Sequence, residues 1–332
     1  MKAYLLPESG SFYKVNMHCH TNLSDGQMTP AEVKAHYKAN GYAAVAFTDH
    51  DLFIPHPELC DDEFVALNGY EMEVDETGRP WKATRTCHMC FVALDPDIDT
   101  PVCWNEKYVF PKCKHNTHLV KTNPSEAPYV RSYTHECVSD MMQRGRDGGF
   151  FVTYNHPVWS LERYPEYSGY KGMHAVEIMN YGCIVAGYPE YNEHAYDDLL
   201  MDGQRLYAVA GDDNHGDYDV CGTYTVVKAP RLGYRELTDA LVKGHHYASE
   251  GPEIRSLYYE DGRVFIETSP AASIALFSNI RRADWRSAKD GEMLSAACFQ
   301  LPDDIAYFRL TVTDEKGKHA YTNAYFLDEI EK

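Results

Sequence analysis

Short apolar runs recur through most of this chain, and most of the early ones stop at a residue able to bind a metal ion. Residues 43–47 read as a buried strand that ends in Thr48-Asp49-His50-Asp51. The run 64–67 ends in Asn68-Gly69-Tyr70-Glu71, and the stretch 86–94 carries His88 among apolar neighbours. Residues 150–154 lead into Asn155-His156-Pro157, and 206–210 into Gly211-Asp212-Asp213-Asn214-His215. Helical signals lie between these runs. Thr29-Pro30-Ala31-Glu32 is a capping box with proline at the first helical position, and Gly41 closes that helix. Further helical patterns cover about 135–146, 192–202 and 234–243. Strand, ligand-bearing loop and helix therefore alternate. That order predicts a parallel sheet, closed or nearly closed into a barrel, with its site at the carboxyl ends of the strands.

The pattern changes near residue 250. After a glycine-bounded loop at 244–252, alternating segments with turn signals take over. Residues 255–259 and 264–268, joined at Asp261-Gly262, read as a hairpin, and 307–313 with 321–326 as a second. The expected organisation is an α/β barrel over 1–251 and a small antiparallel β-sandwich over 252–332. The opening residues read as an edge strand or a lead-in to the first barrel strand.

Composition narrows the function classes. With 332 residues, 44% of them hydrophobic, the chain can bury a sizeable core and make two domains. It has no apolar run long enough to span a bilayer, and its start lacks the apolar stretch of a secretory signal, so a cytoplasmic location is expected. A formal net charge of −19 argues against long nucleic-acid partners, which need a basic surface. It does not exclude a small anionic substrate, because bound cations can invert the local field. The ten cysteines are scattered and fit a reducing compartment. A structural zinc on Cys87, Cys90, Cys103 and Cys113 is disfavoured, since residues three apart on a strand face opposite sides.

The densest chemistry is His18-Cys19-His20-Thr21, followed at once by Ser24-Asp25-Gly26. Histidines at i and i+2 of an extended segment point the same way and can share a metal. A single histidine such as His88 is more often a satisfied strand residue; its place in an ordered series is what makes it a candidate. Asp213 is preferred to Asp212 because it shares a face with His215, and Glu71 to Glu73 because it follows the strand end. Asp49 and His215 are the catalytic candidates, with Asp49 either orienting a neighbouring ligand or capping the next turn. His36 reads as a surface or core residue. His245 or His246, His115, His118, Lys82 and Arg85 are weaker candidates for approaching the site or a phosphate, and Trp104 and Trp159 for stacking.

Together these residues resemble the PHP (polymerase and histidinol phosphatase) family of metal-dependent phosphoesterases over roughly residues 14 to 252. The motifs stand in the family's order: His18-x-His20-Thr21, Ser24-Asp25-Gly26, Thr48-Asp49-His50, Gly69-x-Glu71, His88, Asn155-His156-Pro157 and Asp213-x-His215. The loop at 247–252 and the β tail resemble the subgroup with a C-terminal β-sandwich. The resemblance implies a distorted seven-stranded (β/α) barrel with a trinuclear centre of manganese, iron or zinc, metals that suit imidazole and carboxylate ligands. It implies that His18, His20 and Asp213 hold the first ion, with Glu71 bridging to a second held by His88 and His156. Asp25, His50 and His215 would hold the third. Segment 95–132 departs from the family pattern as an insertion of the kind that shapes substrate choice.

Three divalent cations against Asp25, Glu71 and Asp213 leave a site near about plus three, which favours a phosphate dianion. The expected activity is hydrolysis of a small phosphomonoester by metal-bound hydroxide. The alternatives are an amidohydrolase-like, carbamate or ester hydrolase, or a non-catalytic metal-binding module. A glutamate stands where many amidohydrolases use a carbamylated lysine, and none of the nine ligands is missing, so both rank lower.

Overall fold

The apolar runs assemble into one large mixed sheet whose ligand-bearing ends collect at a single edge. The structure, a computed structural model, describes residues 2–281, 283–289 and 291–331. In chain order, β1 (Lys2–Tyr4) is set apart, and β2 (Ser11–Asn16) leads into the main sheet. The helix Pro30–Ala39 follows. Its Thr29 side chain accepts from the Glu32 amide, and Glu32 reaches back to the Thr29 amide at 2.8 Å. Then come β3 (Ala44–Phe47), β4 (Val65–Asp75), β5 (Thr86–Ala93), the helix His135–Asp147, β6 (Phe150–Asn155) and β7 (Ala175–Asn180). The helix Glu193–Met201, β8 (Tyr207–Gly211), β9 (Tyr224–Ala229), the helix Tyr234–Val242 and β10 (His246–Ser249) complete this part.

The sheet is mixed, not parallel. Strands β2, β3 and β4 run parallel, as do β6, β7 and β8, but β5 between the two sets is antiparallel to both neighbours, and β9 is antiparallel to β2. The reason lies in the link between β4 and β5, residues 76–85, which is too short for a helical crossover and so returns the chain as a hairpin. Among the described residues the ladder does not close into a barrel, because β8 has β7 as its ladder partner. The open edge of β8 is met by side chains. Thr225 Oγ1 accepts from the Ala210 amide at 2.9 Å, Asn16 Oδ1 from Asp212 at 2.8 Å and Asn323 Oδ1 from Ala208 at 2.8 Å. Gly211 permits this approach, since a Cβ there would lie 2.7 Å from His18 Cβ.

Beyond residue 253 the strands are β11 (Ile254–Glu260), β12 (Arg263–Ala271), β13 (Ser273–Ser278), β14 (Asp284–Ser287), β15 (Leu294–Gln300), β16 (Tyr307–Thr313), β17 (His319–Thr322) and β18 (Tyr325–Phe326). They form two layers. One is the four-stranded sheet β1-β11-β12-β15; the other, β14-β13-β16-β17, continues through β10 into the main sheet. Leu257, Val264, Ile266 and Phe299 pack against Ile274, Leu276, Phe308 and Leu310 between them. The opening residues therefore pair with a strand from the far end of the sequence. Asp261 and Gly262, both with positive φ, make the tight β11–β12 turn. Arg309 of β16, fully buried, makes two 2.7 Å bonds to Asp197 of the helix Glu193–Met201 and ties the late strands to that helix.

The loop after β6 is held by a buried carboxylate. Glu162 accepts hydrogen bonds from the hydroxyls of Tyr133, Tyr154 and Tyr170. Burial lifts its carboxyl from 4.5 to about 7 even though the three phenol donors favour the charged form. The folded protein therefore keeps a proton that the unfolded chain has released, and stability should fall as pH rises from about 4.5 to about 7. The expected loss across that window is about 3 kcal/mol. Urea denaturation at several pH values should show this slope in the wild type and a flatter profile in Glu162→Gln.

Candidate metal centre

The strand ends carry six imidazoles and three carboxylates into one cavity. Strand β2 stops at Asn16, but the chain stays extended, and Cys19 bridges to Asn214 with its side chain in the core. His18 and His20, on either side of it, face the cavity with their Nε2 atoms 3.1 Å apart. His50 follows β3. Glu71 lies within β4, which runs on to Asp75 rather than ending before it. His88 is the third residue of β5. Because β5 is antiparallel, its start lies at the edge where its neighbours end. His156 follows β6, and Asp213 and His215 follow β8.

Glu71 sits at the centre with no solvent exposure. Its Oε1 lies 3.0 Å from His88 Nδ1, 3.2 Å from His156 Nε2 and 3.3 Å from His18 Nε2. Its Oε2 lies 3.2 Å from His50 Nδ1 and 3.4 Å from His20 Nε2. Asp213 Oδ1 is 2.9 Å from His20 Nε2 and 3.2 Å from His18 Nε2. Asp25 Oδ1 is 3.4 Å from His215 Nε2 and 3.7 Å from His50 Nε2.

Potential ligand atoms fall within 4.8 Å of one another in four overlapping groups: His18, His20, Glu71 and Asp213; His20, Asp25, His50 and His215; His50, Glu71 and His88; His18, His156 and Glu177. Seven of the nine candidate ligands line one cavity of about 890 Å³, and His18 and His20 lie behind it against Glu71 and Asp213. The first group brings together His18, His20 and Asp213 with Glu71, and the second brings Asp25, His50 and His215 together with His20. His88 and His156 meet through Glu71.

The donor set fits divalent cations. Four buried atoms here have no hydrogen-bond partner: His20 Nδ1, His50 Nδ1, His88 Nε2 and Glu71 Oε2. An unpartnered buried polar atom costs about 1–3 kcal/mol, so four at one site mark places where a cation would be held. Burial opposes charge on His18 and His20, yet the neighbouring carboxylates, Asp213 above all, raise both well above the usual imidazole value. Burial acts against Glu71 and Asp213 too, and the surrounding imidazoles hold them well below the carboxylate range. His50 goes the other way. Burial and the charge of His20 press it down to about 3, which leaves a neutral ring with a lone pair to donate.

Backbone strain marks the same spot. His156 has φ +27° and Asp213 φ +52°, and Asp51, next to His50, has φ +54°. Non-glycine residues held in the left-handed region cost on the order of 1 kcal/mol or more, and such residues cluster at functional sites.

Asp49 does not face the cavity. Its Oδ1 accepts from the Thr21 and Ser24 amides and its Oδ2 from the Thr21 hydroxyl, so it holds the turn that carries Asp25. It is a positioning residue. Asp212 accepts from Tyr37 and the amides of Cys221, Gly222 and Thr223. His246 is buried against Phe151 and Tyr207, His115 and His118 are exposed on the insertion, and Arg85 is bound to Glu76 and Glu166. Trp159 lines the cavity with its ring 5.3 Å from those of His88 and His156.

Glu177 is the residue that pattern reading missed. It lies on β7, accepts from His18 Nδ1 at 3.0 Å and from the His156 amide at 3.2 Å, and so fixes which His18 nitrogen faces Glu71. Its signal was an acidic residue inside the apolar run Ala175–Asn180.

No protein-family model and no curated protein matches the chain. Among solved structures it is similar to a two-domain protein from Bacteroides vulgatus containing a predicted PHP-like metal-dependent phosphoesterase. The identity is 14%, the match covers 97% of this chain and 98% of that one, and the TM-score is 0.45. A Bifidobacterium adolescentis protein assigned as a metal-dependent phosphoesterase is 15% identical over 71% of this chain and 96% of its own, at TM-score 0.39. An amidohydrolase from Chromobacterium violaceum with bound sulfate is 18% identical over 61% and 88%, at TM-score 0.37.

Because Glu177 orients His18 without lining the cavity, Glu177→Gln should keep the fold and weaken metal binding by about 10- to 100-fold. Chelator-competition titration measures the affinity, and circular dichroism checks the fold.

Proposed function

We propose that this chain is a metal-dependent phosphoesterase that hydrolyses a small phosphomonoester. The observation that carries the reading is Glu71, a buried carboxylate ringed by five imidazoles at the floor of an open cavity. His18, His20, Glu71 and Asp213 would hold one cation, Glu71, His88 and His156 a second, and Asp25, His50 and His215 a third, drawn from manganese, iron or zinc. When bound, such ions would supply positive charge for phosphate oxygens and acidify a water.

The protein's own groups do the positioning. Glu71 and Asp213 stay ionised across the neutral range and fix the imidazoles around them. His215 Nδ1 donates to the Asp213 carbonyl at 2.9 Å, which leaves Nε2 facing Asp25 at the partly open mouth, where it can hold an ion or take a proton. The rings of Phe110 and Trp159 wall the cavity. Carbon–nitrogen hydrolysis built on a carbamylated lysine is disfavoured, since no lysine lines the cavity among the described residues. No helix of the described residues is long and apolar enough to cross a membrane, and the ten unpaired cysteines favour a cytoplasmic setting.

Metal analysis and an assay with a generic aryl phosphomonoester plus manganese test this directly. His20→Ala should lower bound metal and reduce turnover by at least about hundredfold. A wild type without phosphatase activity, or a variant with unchanged turnover, overturns the reading.

A further inference from the structure

Resting on the phosphoesterase reading, we propose that Lys112, carried by the 95–132 insertion, is the substrate-binding cation of the site. Its ammonium contacts the phosphate dianion and selects phosphomonoesters over less charged esters.

Lys112 Nζ lies 4.0 Å from Asp25 Oδ2, while Oδ1 of the same carboxylate faces His50 and His215. Asp25 thus has one oxygen toward the imidazoles and one toward the lysine. Among the described residues, no other lysine or arginine comes within 4.0 Å of a candidate ligand carboxylate, and none lines the cavity. The walls carry Glu73, Asp75 and Asp219 beside aromatic and small residues, so an entering anion would find its nearest side-chain ammonium at Lys112, against Asp25. The other basic groups nearby are committed: Arg131 to Asp51, and Arg85 to Glu76 and Glu166.

The backbone that carries Lys112 is firmly seated. Val109 and Cys113, on either side, pack with Val120 onto Leu52, and Phe110 lies with its ring 4.7 Å from that of His50. Trp104 Nε1 donates to the Asp51 carbonyl and Asn116 Nδ2 to the Leu23 carbonyl, both at 2.8 Å, which fastens the insertion to the turns carrying His50 and Asp25. Arg131 adds a buried pair with Asp51 and a bond to the Glu73 carbonyl. A long side chain that is 61% exposed on so fixed a backbone can swing from Asp25 to an anion without moving the insertion.

Calorimetric titration of inorganic phosphate into the manganese-loaded protein gives the test. Lys112→Ala should bind phosphate about tenfold more weakly, as expected for one charge-assisted contact, and Lys112→Arg should recover most of the loss. Bound metal and thermal midpoint should not change. With an aryl phosphomonoester, KM should rise at nearly constant kcat, while a diaryl phosphodiester should be much less affected. Unchanged phosphate affinity in Lys112→Ala overturns the assignment. So does a loss of metal in that variant, which would make Lys112 only a counter-charge for Asp25. If phosphate binding depends on Lys112 but the wild type hydrolyses no phosphomonoester, the activity reading fails and the binding assignment stands.

Discussion

A carboxylate with no access to solvent, in contact with five imidazoles, is the constraint around which this molecule is organised. Burying an ionised group costs several kcal/mol unless opposite charge and hydrogen bonds surround it. Here those groups come from four separate segments, each ending or starting at the same sheet edge. The protein can supply the compensating charge only as protons on His18 and His20 or as cations in their place. The raised imidazoles and the depressed carboxylates are two views of that single balance.

The surrounding structure serves to hold those segments in register. Asp49 ties the turn of Asp25 to the end of β3, Glu177 ties His18 to the loop of His156, and Glu162 with its three tyrosines anchors the far side of that loop. Glu190 accepts from the amides of Val158 and Trp159 and holds the ring that walls the cavity. Each of these acids is buried, and each spends its oxygens on backbone amides, hydroxyls or a ligand side chain rather than on the cavity. Pairs of acids therefore divide the labour. Glu71 and Asp213 face in, while Asp49, Glu177 and Asp212 hold the frame.

Much of the site was readable because ligands follow directly on short apolar runs, so strand ends and chemistry mark one another. His18 and His20 needed only the alternation of an extended chain. Strand alternation is a weaker guide to Asp213 and His215, since Asp213 takes a left-handed conformation and the two do not sit on a regular strand. Strands β7 and β9 went unread. The first is fully buried, so its apolar residues show no alternation, and a glutamate interrupts the run. The reversed direction of β5 was also hidden, because a buried strand has the same composition whichever way it runs. Only the short link before it, residues 76–85, carried that information. In the late part, the two hairpins were legible from their turns. The pairing of β1 with β11 and of β10 with β17 was not, because contacts so distant in sequence leave no local period.

The seam beside β8 shows why an unclosed ladder suits this site. A second ladder partner for β8 would have fixed residues 208–213 in regular strand geometry and kept Asp213 from turning inward. Instead Asn323, Thr225 and Asn16 satisfy the alternate amides of Ala208, Ala210 and Asp212 one at a time. Past β8 only a single bridge, Cys19 to Asn214, sets the register of residues 212–215. The chain can therefore leave the sheet at Gly211, pass within contact of His18, and bond the Asp213 amide to the His18 carbonyl at 2.9 Å. The carboxylate of Asp213 arrives opposite Glu71 as the chain bridges from Asn214 to Cys19, where the His20 amide also bonds the Asn214 carbonyl at 3.2 Å. An edge covered by side chains also offers nothing for another strand to join, which removes the usual hazard of leaving a sheet open.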